Sequence, residues 1–557
     1  MYDKKRKCWI TLEPVGRTDS PNGEVTAEDA LYADYARADE SLTKATAGTR
    51  NVEAVYLMEK TAKQGYAPAC LAMAQMFEFG WAVAKSSKMA VNWYQKAAEA
   101  GSEEAKAYIE RLKKAKRQKR VVCCVAAAAV VIVISLFAAG ILRLPGDNRL
   151  RITLPKGIEL ETPSNTEQYA EIIIDMQKNY DTEEMRNGSV NTNRIMFVYF
   201  GNNLNLSKFD IVAAATDGEL TILQFTNREE ALRCYEYLEK LPDTVAIDLD
   251  QYVSMDETTA ADNSLTAVSG SVPTYHSDIS GYDYYSWGAI AMEMDQYAAY
   301  LSKIASDKHI TVAVVDSGIE PNAETEDRIV DGTHFVFKGN GKTDKNSHGT
   351  HVSGIILNCT QGLNVDVMSV GVFGEKDKTD IGLIINGFRY AAEEADVQVI
   401  NMSLGGGHNN LKDYYVKEAI DRGIVVVVSS GNTKIPIDID YYGHCPAHIT
   451  QAITVGAIDI NGDIASFSNY GDSVDVCAPG YEVLSYVPAP NYFGYMDGTS
   501  MAAPHVAALA AMILLEYENL TPAQVERCIK AYSNGCGNDK RYYGEGLPLA
   551  GNFVEIN

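Results

Sequence analysis

The sequence has too few basic residues for a typical nucleic-acid-binding protein. Its 557 residues include 49 Lys and Arg against 74 Asp and Glu, which gives a formal net charge of −25. Proteins that bind phosphate backbones do so mainly through clustered Lys and Arg, so this balance argues against a nucleic-acid partner. The net charge does not constrain the fold.

Paired cysteines are also lacking. The ten cysteines are scattered, and only Cys123 and Cys124 are adjacent, so neither a CxxC pair nor another zinc-ligand spacing occurs. This argues against a metal site built on cysteine, and we expect no metal in the functional site. With 46% hydrophobic and 22% charged residues, the chain instead suits packed globular domains, and its length predicts several of them.

One long stretch lacks charged residues altogether. Residues 121–142 read VVCCVAAAAVVIVISLFAAGIL, 22 residues without a charge, and about 20 suffice to cross a bilayer. The stretch is too long for a typical core helix and too far from the N-terminus for a secretory signal. Six of the eight residues at 113–120 are basic, and basic flanks favour the cytoplasm. We therefore predict a single-pass protein of the cell membrane, with residues 1–120 inside and the chain after 143 outside.

The predicted cytoplasmic part contains a repeat. Ala54–Gly65 (AVYLMEKTAKQG) and Ala90–Gly101 (AVNWYQKAAEAG) recur after 36 residues, and both place apolar residues at helical spacing before a glycine. The segment WYQKAAEAG resembles the Sel1-like branch of tetratricopeptide-type repeats. This resemblance implies helical repeats over 31–112 that bind a cytoplasmic protein; the alternative is a hairpin that only supports the membrane anchor. Residues 1–30 carry no clear signal.

Two motifs in the C-terminal half place an acid and a base at turns. Asp316 ends the apolar strand of ITVAVVDSGIE, and active sites of parallel sheets form at the carboxyl ends of strands. His348 lies at the turn of NSHGTHVSGII, directly before an apolar helix. His351 lies inside that helix, so we interpret it as structural and His348 as the base.

A third motif presents a serine. Ser500 lies in DGTSMAAPHVAALAAMI, where a glycine turn at Gly498 leads into a helix of small residues with Pro504 in its first turn. The N-terminus of such a helix offers unpaired N–H donors. Serine becomes a nucleophile when a base takes its proton and a carboxylate orients that base. Asp316, His348 and Ser500 supply these three groups in the chain order Asp, His, Ser.

Three motifs together resemble the subtilisin-like, or subtilase, family of serine peptidases: VVDSGI, HGTHV and GTSMAAP. The resemblance covers about residues 281–557. It implies an α/β domain, a parallel sheet flanked by helices, and an endopeptidase that cleaves polypeptides through an acyl-enzyme intermediate. VVVVSSGN resembles the family strand that ends in the oxyanion asparagine, here Asn432. INMSLGG resembles the strand that lines the substrate cleft. The implied substrate-binding residues are Ser403, Leu404, Gly405, Gly406, Ser429, Ser430 and Gly431, with the base of the first pocket near His444 or Cys445.

The sequence departs from the family pattern at a few positions. Ser347 stands where the family usually has glycine, Ser353 replaces an alanine, and Asp497 precedes the GTS turn. None of these changes removes a predicted catalytic group. The chemistry requires no cofactor; the acidic segment Glu324–Asp327 is a candidate for weak Ca²⁺ binding.

Residues 194–253 predict a small ferredoxin-like α+β domain with the order β-α-β-α-β. Its helices are expected about NLSKFDIVAAA and over NREEALRCYEYLEKL, where Asn227 and Glu230 form a capping box. The domain resembles the subtilase propeptide, which implies a self-processing zymogen; a spacer domain is the alternative. Residues 143–193 are expected to be a linker, and the turn-rich 254–280 a cleavable one.

The pairing of the cysteines in the predicted extracellular domain is left open by the sequence. Five cysteines fall in 281–557, an odd number, and Cys528 with Cys536 is a candidate local disulfide.

The leading hypothesis for the overall function is a membrane-anchored serine endopeptidase. Its rivals are a catalytically silent, peptide-binding pseudoprotease and a membrane scaffold that uses the Sel1-like repeats.

Overall fold

The computed structural model divides the chain into two compact units, Met1–Asp147 and Asn148–Asn557. The residues that it describes are 2–3, 8–9, 35–36, 38, 52–79, 87–110, 150–186, 192–254, 266–268, 272–277, 279, 281, 283–304, 308–374, 378–438, 445–517, 519–537 and 539–554. The predicted membrane helix at 121–142, its basic flank and His444 lie outside the described residues.

The first unit contains the predicted helical repeat. Its described helices are α1 (Val52–Lys63), α2 (Ala67–Phe79) and α3 (Ser87–Glu99), followed by helical residues 103–110, and its short strands β1 (Tyr2–Asp3) and β2 (Cys8–Trp9) pair with each other. Phe77 and Trp93 are buried where the helices pack together. Gly65 and Gly101 occupy the same place in the two repeats and have φ of 84° and 103°, a backbone conformation that favours glycine.

A seven-stranded parallel sheet forms the centre of the second unit. Its order is β15-β16-β14-β18-β19-β20-β21. The strands are β14 (Ile310–Asp316), β15 (Ile329–His334), β16 (Val365–Gly371), β18 (Val399–Met402), β19 (Val425–Ser429), β20 (Ile453–Ile458) and β21 (Val476–Pro479). Both faces of the sheet are covered, which is why runs such as VVVV are apolar at every position rather than at alternate ones.

Helices cover this sheet on both faces. They are α7 (Trp287–Ala291), α8 (Met294–Leu301), α9 (His348–Cys359), α10 (Ile381–Arg389), α11 (Asn410–Asp421), α12 (Thr499–Glu516), α13 (Pro522–Ala531) and α14 (Lys540–Tyr543). Short strands complete the domain: β11 (Thr266–Ala267), β12 (Tyr275–His276), β13 (Asp283–Tyr284), β17 (Lys378–Asp380), β22 (Val483–Tyr486), β23 (Phe493–Met496), β24 (Ser533–Asn534) and β25 (Leu547–Pro548). The predicted parallel sheet flanked by helices is therefore present.

Helix α12 runs through the core of the domain. In the described part of the chain it is the one helix long and apolar enough to cross a membrane, but 83% of its apolar window is buried. Its small residues, such as Ala507 and Ala510, allow it to pack against β14 and β18–β20. We therefore interpret α12 as a core helix, which carries Ser500 at its N-terminus.

A five-stranded sheet forms the part of this unit that precedes the peptidase-like domain. Its order is β4-β7-β8-β5-β9. Its strands are β4 (Leu160–Glu161), β5 (Arg194–Tyr199), β7 (Ile211–Thr216), β8 (Leu220–Phe225) and β9 (Thr244–Leu249), accompanied by the strands β3 (Arg151–Thr153), β6 (Asn203–Asn205) and β10 (Tyr252–Ser254) and by the helices α4 (Thr166–Tyr180), α5 (Glu183–Arg186) and α6 (Arg228–Leu238). As predicted, Asn227 caps α6 by accepting from the Glu230 N–H, but the predicted reciprocal bond is replaced, since the Glu230 carboxylate accepts from Asp210 N and Arg233.

Two predictions for this region are wrong. The segment NLSKFDIVAAA is not a helix: it starts at the last residue of β6 and ends in β7, which pairs with β8. Its alanines favour a helix locally, but burial of Ala214 and Ala215 on a paired strand overrides that preference. Nor is 143–193 only a linker, since it contains α4. That helix is capped by Asn165 and buries Tyr169, Ala170, Ile173 and Met176, a spacing that the sequence displays.

The described cysteines are all free thiols, so the candidate disulfide between Cys528 and Cys536 is not formed. Cys536 instead lies beside Cys477. A hydrogen bond from Cys477 lowers the pKa of the Cys536 thiol to about 7.

Candidate active site

Asp316 and His348 are in direct contact. Asp316 ends β14 and is fully buried, and His348 begins α9. His348 Nδ1 lies 2.9 Å from Asp316 Oδ1 and 3.0 Å from Oδ2. The carboxylate therefore holds the proton on Nδ1, which leaves the lone pair on Nε2.

Asp344, which the sequence analysis did not select, fixes the turn that carries the imidazole. Its buried carboxylate accepts from Ser317 Oγ at 3.0 Å, from Ser347 N at 2.9 Å and from Thr350 N at 2.9 Å. Ser317 Oγ in turn accepts from Gly349 N at 2.9 Å. These bonds tie the end of β14 to the start of α9. An Asp four residues before the histidine was the available signal, because Asp commonly caps helices.

His351 is held away from any such chemistry. It is fully buried, and its Nε2 lies 3.0 Å from both Val483 O and Gly494 O. Burial lowers its pKa to about 3, so the imidazole stays neutral. This environment matches the structural role that the sequence analysis assigned to it.

Ser500 is the second residue of α12 and is partly exposed. Its hydroxyl donates to Ser403 O at 3.1 Å, and Ser403 Oγ donates to Ser500 O at 2.8 Å. Pro504 is the sixth residue of the helix rather than part of its first turn. Because Pro504 has no N–H, the carbonyl of Ser500 lacks its usual helical donor and is left to accept from Ser403.

Asn432 lies beside the same helix N-terminus. Its Oδ1 accepts from both the N–H and the hydroxyl of Thr499, each at 2.8 Å, which orients the amide and turns Nδ2 the other way. A Cβ on Gly498 would lie 3.3 Å from Asn432 Nδ2 and 3.5 Å from Ser500 N. Glycine at 498 thus leaves room for an added atom within about 3.5 Å of both N–H donors. Thr499 had no role in the sequence analysis.

The predicted substrate-binding residues form two segments. Residues 403–406 follow β18, and Gly406 forms an antiparallel bridge with Cys445. Leu404 is buried in the core below. Ser429–Gly431 ends β19, and there the Asn469 side chain donates to Ser430 O at 2.9 Å while Asn469 N donates to Gly431 O at 2.8 Å. Asn469, a second residue that the sequence analysis missed, therefore holds the backbone of this segment.

One of the three acidic groups in the candidate calcium segment is engaged elsewhere. Glu324 Oε2 accepts from the hydroxyls of Tyr285 and Tyr486, both at 2.9 Å. Ca²⁺ binding by Glu324–Asp327 stays a prediction.

Comparison with known sequences gives matches to both halves of the chain. The sequence model described as the Subtilase family matches residues 307–546, and that of the Sel1 repeat matches 51–66 and 67–102. Subtilisin DY of Bacillus licheniformis is 36% identical over 250 residues, which cover 43% of this chain and 88% of that relative. M-protease of Shouchella clausii (strain KSM-K16) is 30% identical over 346 residues, which cover 61% of this chain and 83% of that relative.

A solved structure, described as a cold adapted subtilisin-like serine proteinase, aligns with a TM-score of 0.40 and 32% identity. The alignment covers 43% of this chain and 88% of that chain.

Proposed function

This chain belongs to the subtilase family of serine endopeptidases, and we propose that it cleaves polypeptides with Asp316, His348 and Ser500 as its catalytic triad. The observation that carries the proposal is the contact between His348 Nδ1 and both oxygens of a buried Asp316. That contact leaves His348 Nε2 as the nitrogen that can take the proton of Ser500.

The proposed reaction proceeds in two stages. The proton of Ser500 Oγ passes to His348 Nε2 while Oγ bonds to the carbonyl carbon of the scissile peptide. Asp316 stabilises the imidazolium, which then gives the proton to the leaving amine. Water then attacks the acyl-enzyme while His348 takes its proton. His348 gives this proton to Ser500 Oγ as the ester bond breaks, which restores the serine hydroxyl and releases the new acid.

Asn432 and the Ser500 N–H are proposed to bind the oxyanion that forms during each attack. The position that a Cβ on Gly498 would take is within 3.5 Å of both donors, and glycine leaves it unfilled. Donors arranged in advance stabilise the developing charge without reorganising, and losing one typically reduces turnover about a hundredfold to a thousandfold.

The substrate is proposed to bind in an extended conformation along residues 403–406, with Ser429–Gly431 as the wall of the first pocket. Backbone pairing of this kind does not depend on a chain end, which suits cleavage within a polypeptide.

A fluorophosphonate probe on the processed enzyme tests the site. We expect labelling and peptide hydrolysis to disappear in Ser500→Ala, and hydrolysis to fall at least a hundredfold in Asn432→Ala. Ser533→Ala is the matched control, since Ser533 only donates to Ile529 O. A folded, processed wild type that the probe does not label would show a pseudoprotease instead.

We further propose that residues 150–254 are a propeptide. Asp248 Oδ2 accepts from Asn410 N at 2.7 Å and Asp250 Oδ1 accepts from Gly382 N at 3.1 Å, so this domain supplies acceptors to the N-termini of α11 and α10. A Cβ on Gly382 would lie 3.1 Å from Met196 Sδ, so the two parts pack closely there. Both parts also contribute to one hydrophobic core.

The end of this domain supports the same proposal. Tyr252–Ser254 pairs antiparallel with Lys378–Asp380, so the chain adds a strand to an edge of the peptidase part as a bound peptide does.

N-terminal sequencing of the purified protein tests the zymogen. We expect a new N-terminus within about 254–285 in the wild type, but not in Ser500→Ala. An active protein that retains its uncut chain would refute self-processing.

Membrane anchoring is proposed from residues 113–142 alone, with the Sel1 repeats on the cytoplasmic side available to a protein partner. Protease treatment of intact cells tests it, and we expect the peptidase half to be digested while 1–110 is protected. The reverse pattern would overturn the topology.

A further inference from the structure

Three side chains outside the proposed triad converge on one point. His448 Nε2 lies 2.9 Å from Asp413 Oδ2, and His408 Nδ1 lies 3.9 Å from the same oxygen. One nitrogen or oxygen from each residue falls within 4.8 Å of the others, and no second group of this kind occurs among the described residues. The sequence analysis did not select them because they are spread over 40 positions.

The separations fit a tetrahedral metal ion. With metal–ligand bonds of about 2.0–2.2 Å, ligand atoms at a tetrahedral zinc lie about 3.3 Å apart. The two separations from Asp413 Oδ2, 2.9 Å and 3.9 Å, lie on either side of that value, and the two imidazole nitrogens lie within 4.8 Å of each other. Two imidazoles and a carboxylate with a fourth position open to water form a common zinc ligand set.

Neighbouring residues orient the ligand atoms. The Nε2–H of His408 faces Asn410 Oδ1 at 3.3 Å, which leaves the lone pair of His408 on Nδ1, the atom that faces Asp413. The Cys445 thiol donates to Asp413 Oδ1 at 3.1 Å, so Oδ2 is the oxygen that faces both imidazoles. Such outer hydrogen bonds are typical of metal sites, where they set the tautomer and the angle of each ligand.

The site is sheltered but open enough for an ion to enter. The side chains of His408, Asp413 and His448 are 18%, 12% and 12% exposed. One nearby charge opposes a cation: Lys412, whose ammonium donates to Cys445 O at 3.3 Å.

We propose that His408, Asp413 and His448 bind one divalent zinc-like ion, which ties residues 408–413 to 445–448. Cys445 N donates to Gly406 O at 2.8 Å, so the ion would lie next to the end of the proposed substrate-binding segment 403–406. An ion that binds only the folded chain stabilises it by mass action. Metal binding would therefore stabilise the end of the proposed substrate-binding segment 403–406.

Metal titration of the full chain tests this proposal, with Ser500→Ala in every protein to prevent self-digestion. After treatment with a chelator, we expect one Co²⁺ per chain, the intense visible absorption of a tetrahedral site, and displacement by Zn²⁺. His408→Gln and His448→Gln should each weaken Co²⁺ binding at least tenfold, while Zn²⁺ should raise the Tm only where the site is intact. Because activity is not read out, the result does not depend on the proposed function.

His309→Gln is the matched control. His309 also pairs with a carboxylate, Asp366 at 3.1 Å, but belongs to no three-ligand group, so this variant should bind Co²⁺ as the parent does. The far-ultraviolet circular dichroism of each metal-free variant shows whether it is folded, and His408, the most exposed of the three ligands at 18%, offers the milder change. Equal Co²⁺ affinity in parent, His408→Gln and His448→Gln, or a parent that binds no stoichiometric Co²⁺, would overturn the proposal.

Discussion

Ser347 adopts a backbone conformation that its side chain disfavours. Its φ is 87° and its ψ −16°, in the left-handed region, and its side chain makes no capping bond to α9 although it occupies the N-cap position. Asp344 accepts the N–H groups there instead. Ser347 stands where the family usually has glycine, and the structure shows that the difference is conformational.

We predict that Ser347→Gly stabilises the protein. Relief of left-handed strain contributes about 1–2 kcal/mol, and the greater freedom of glycine in the unfolded chain offsets about half of it, which leaves a gain of about 0.5–1 kcal/mol. Urea denaturation of the Ser500→Ala chain measures this change. Ser353→Gly, within the same helix, is the control and should destabilise by about 0.5–1 kcal/mol. Loss of stability in both variants would contradict the interpretation.

At the scale of elements, the N-terminus of α11 depends on a carboxylate from the propeptide-like domain. Asp248 accepts from both the backbone N and the side-chain Nδ2 of Asn410, at 2.7 Å and 3.2 Å. Burial raises the pKa of this carboxyl to about 6, in spite of these bonds, which lower it. At this position, burial therefore changes the pKa of Asp248 more than the hydrogen bonds to the helix N-terminus do.

A raised folded-state pKa has a definite sign for stability. The contribution of Asp248 is fully present below its unfolded pKa of about 3.9 and is lost as the pH rises through about 6. Asp248→Asn imitates the protonated form, so its stability relative to the parent should increase between pH 5 and pH 7. Denaturation of both Ser500→Ala chains across that range measures the difference. A difference that does not change with pH would refute the assignment.

At the scale of the whole second unit, Arg194 joins the two parts through buried charges. Its guanidinium lies 2.7 Å from Asp181, 2.7 Å from Asp250 and 3.3 Å from Asp380, the last of which belongs to the peptidase part. All four side chains are fully buried. Burial and the neighbouring Asp250 raise the pKa of Asp380. One cation thus stabilises three carboxylates that water cannot reach.

We predict that Arg194→Met severely destabilises this unit. Removing one partner from a buried ion pair typically costs about 3–5 kcal/mol, because the charges that remain are unpaired. The loss in the free energy of unfolding should be smaller at acidic pH, where the carboxylates can take up protons. Urea denaturation at pH 5 and pH 8 measures both effects. Arg233→Met, which removes an exposed pair with Glu230, should change stability little; equal effects of the two variants would show that the buried cluster does not stabilise the unit.

Local sequence was sufficient for features that depend on neighbours in the chain. The apolar run before Asp316, the turn at His348, the capping of α6 by Asn227 and the glycines that end the repeat helices are all visible in short windows. The parallel sheet follows from the same runs, because strands that are apolar at every position need cover on both faces. The family motifs then identified the residue types of the site.

Tertiary structure decided what depends on distant residues. It made a strand of 211–216, because pairing with β8 outweighs the helical preference of alanine, and it gave Asp344, Thr499 and Asn469 their positioning contacts. It also brought His408, Asp413 and His448 together. Side chains far apart in the chain become neighbours only through packing, so no local pattern could reveal them, whereas strands, turns and caps arise from steric preferences and hydrogen bonds within a few residues.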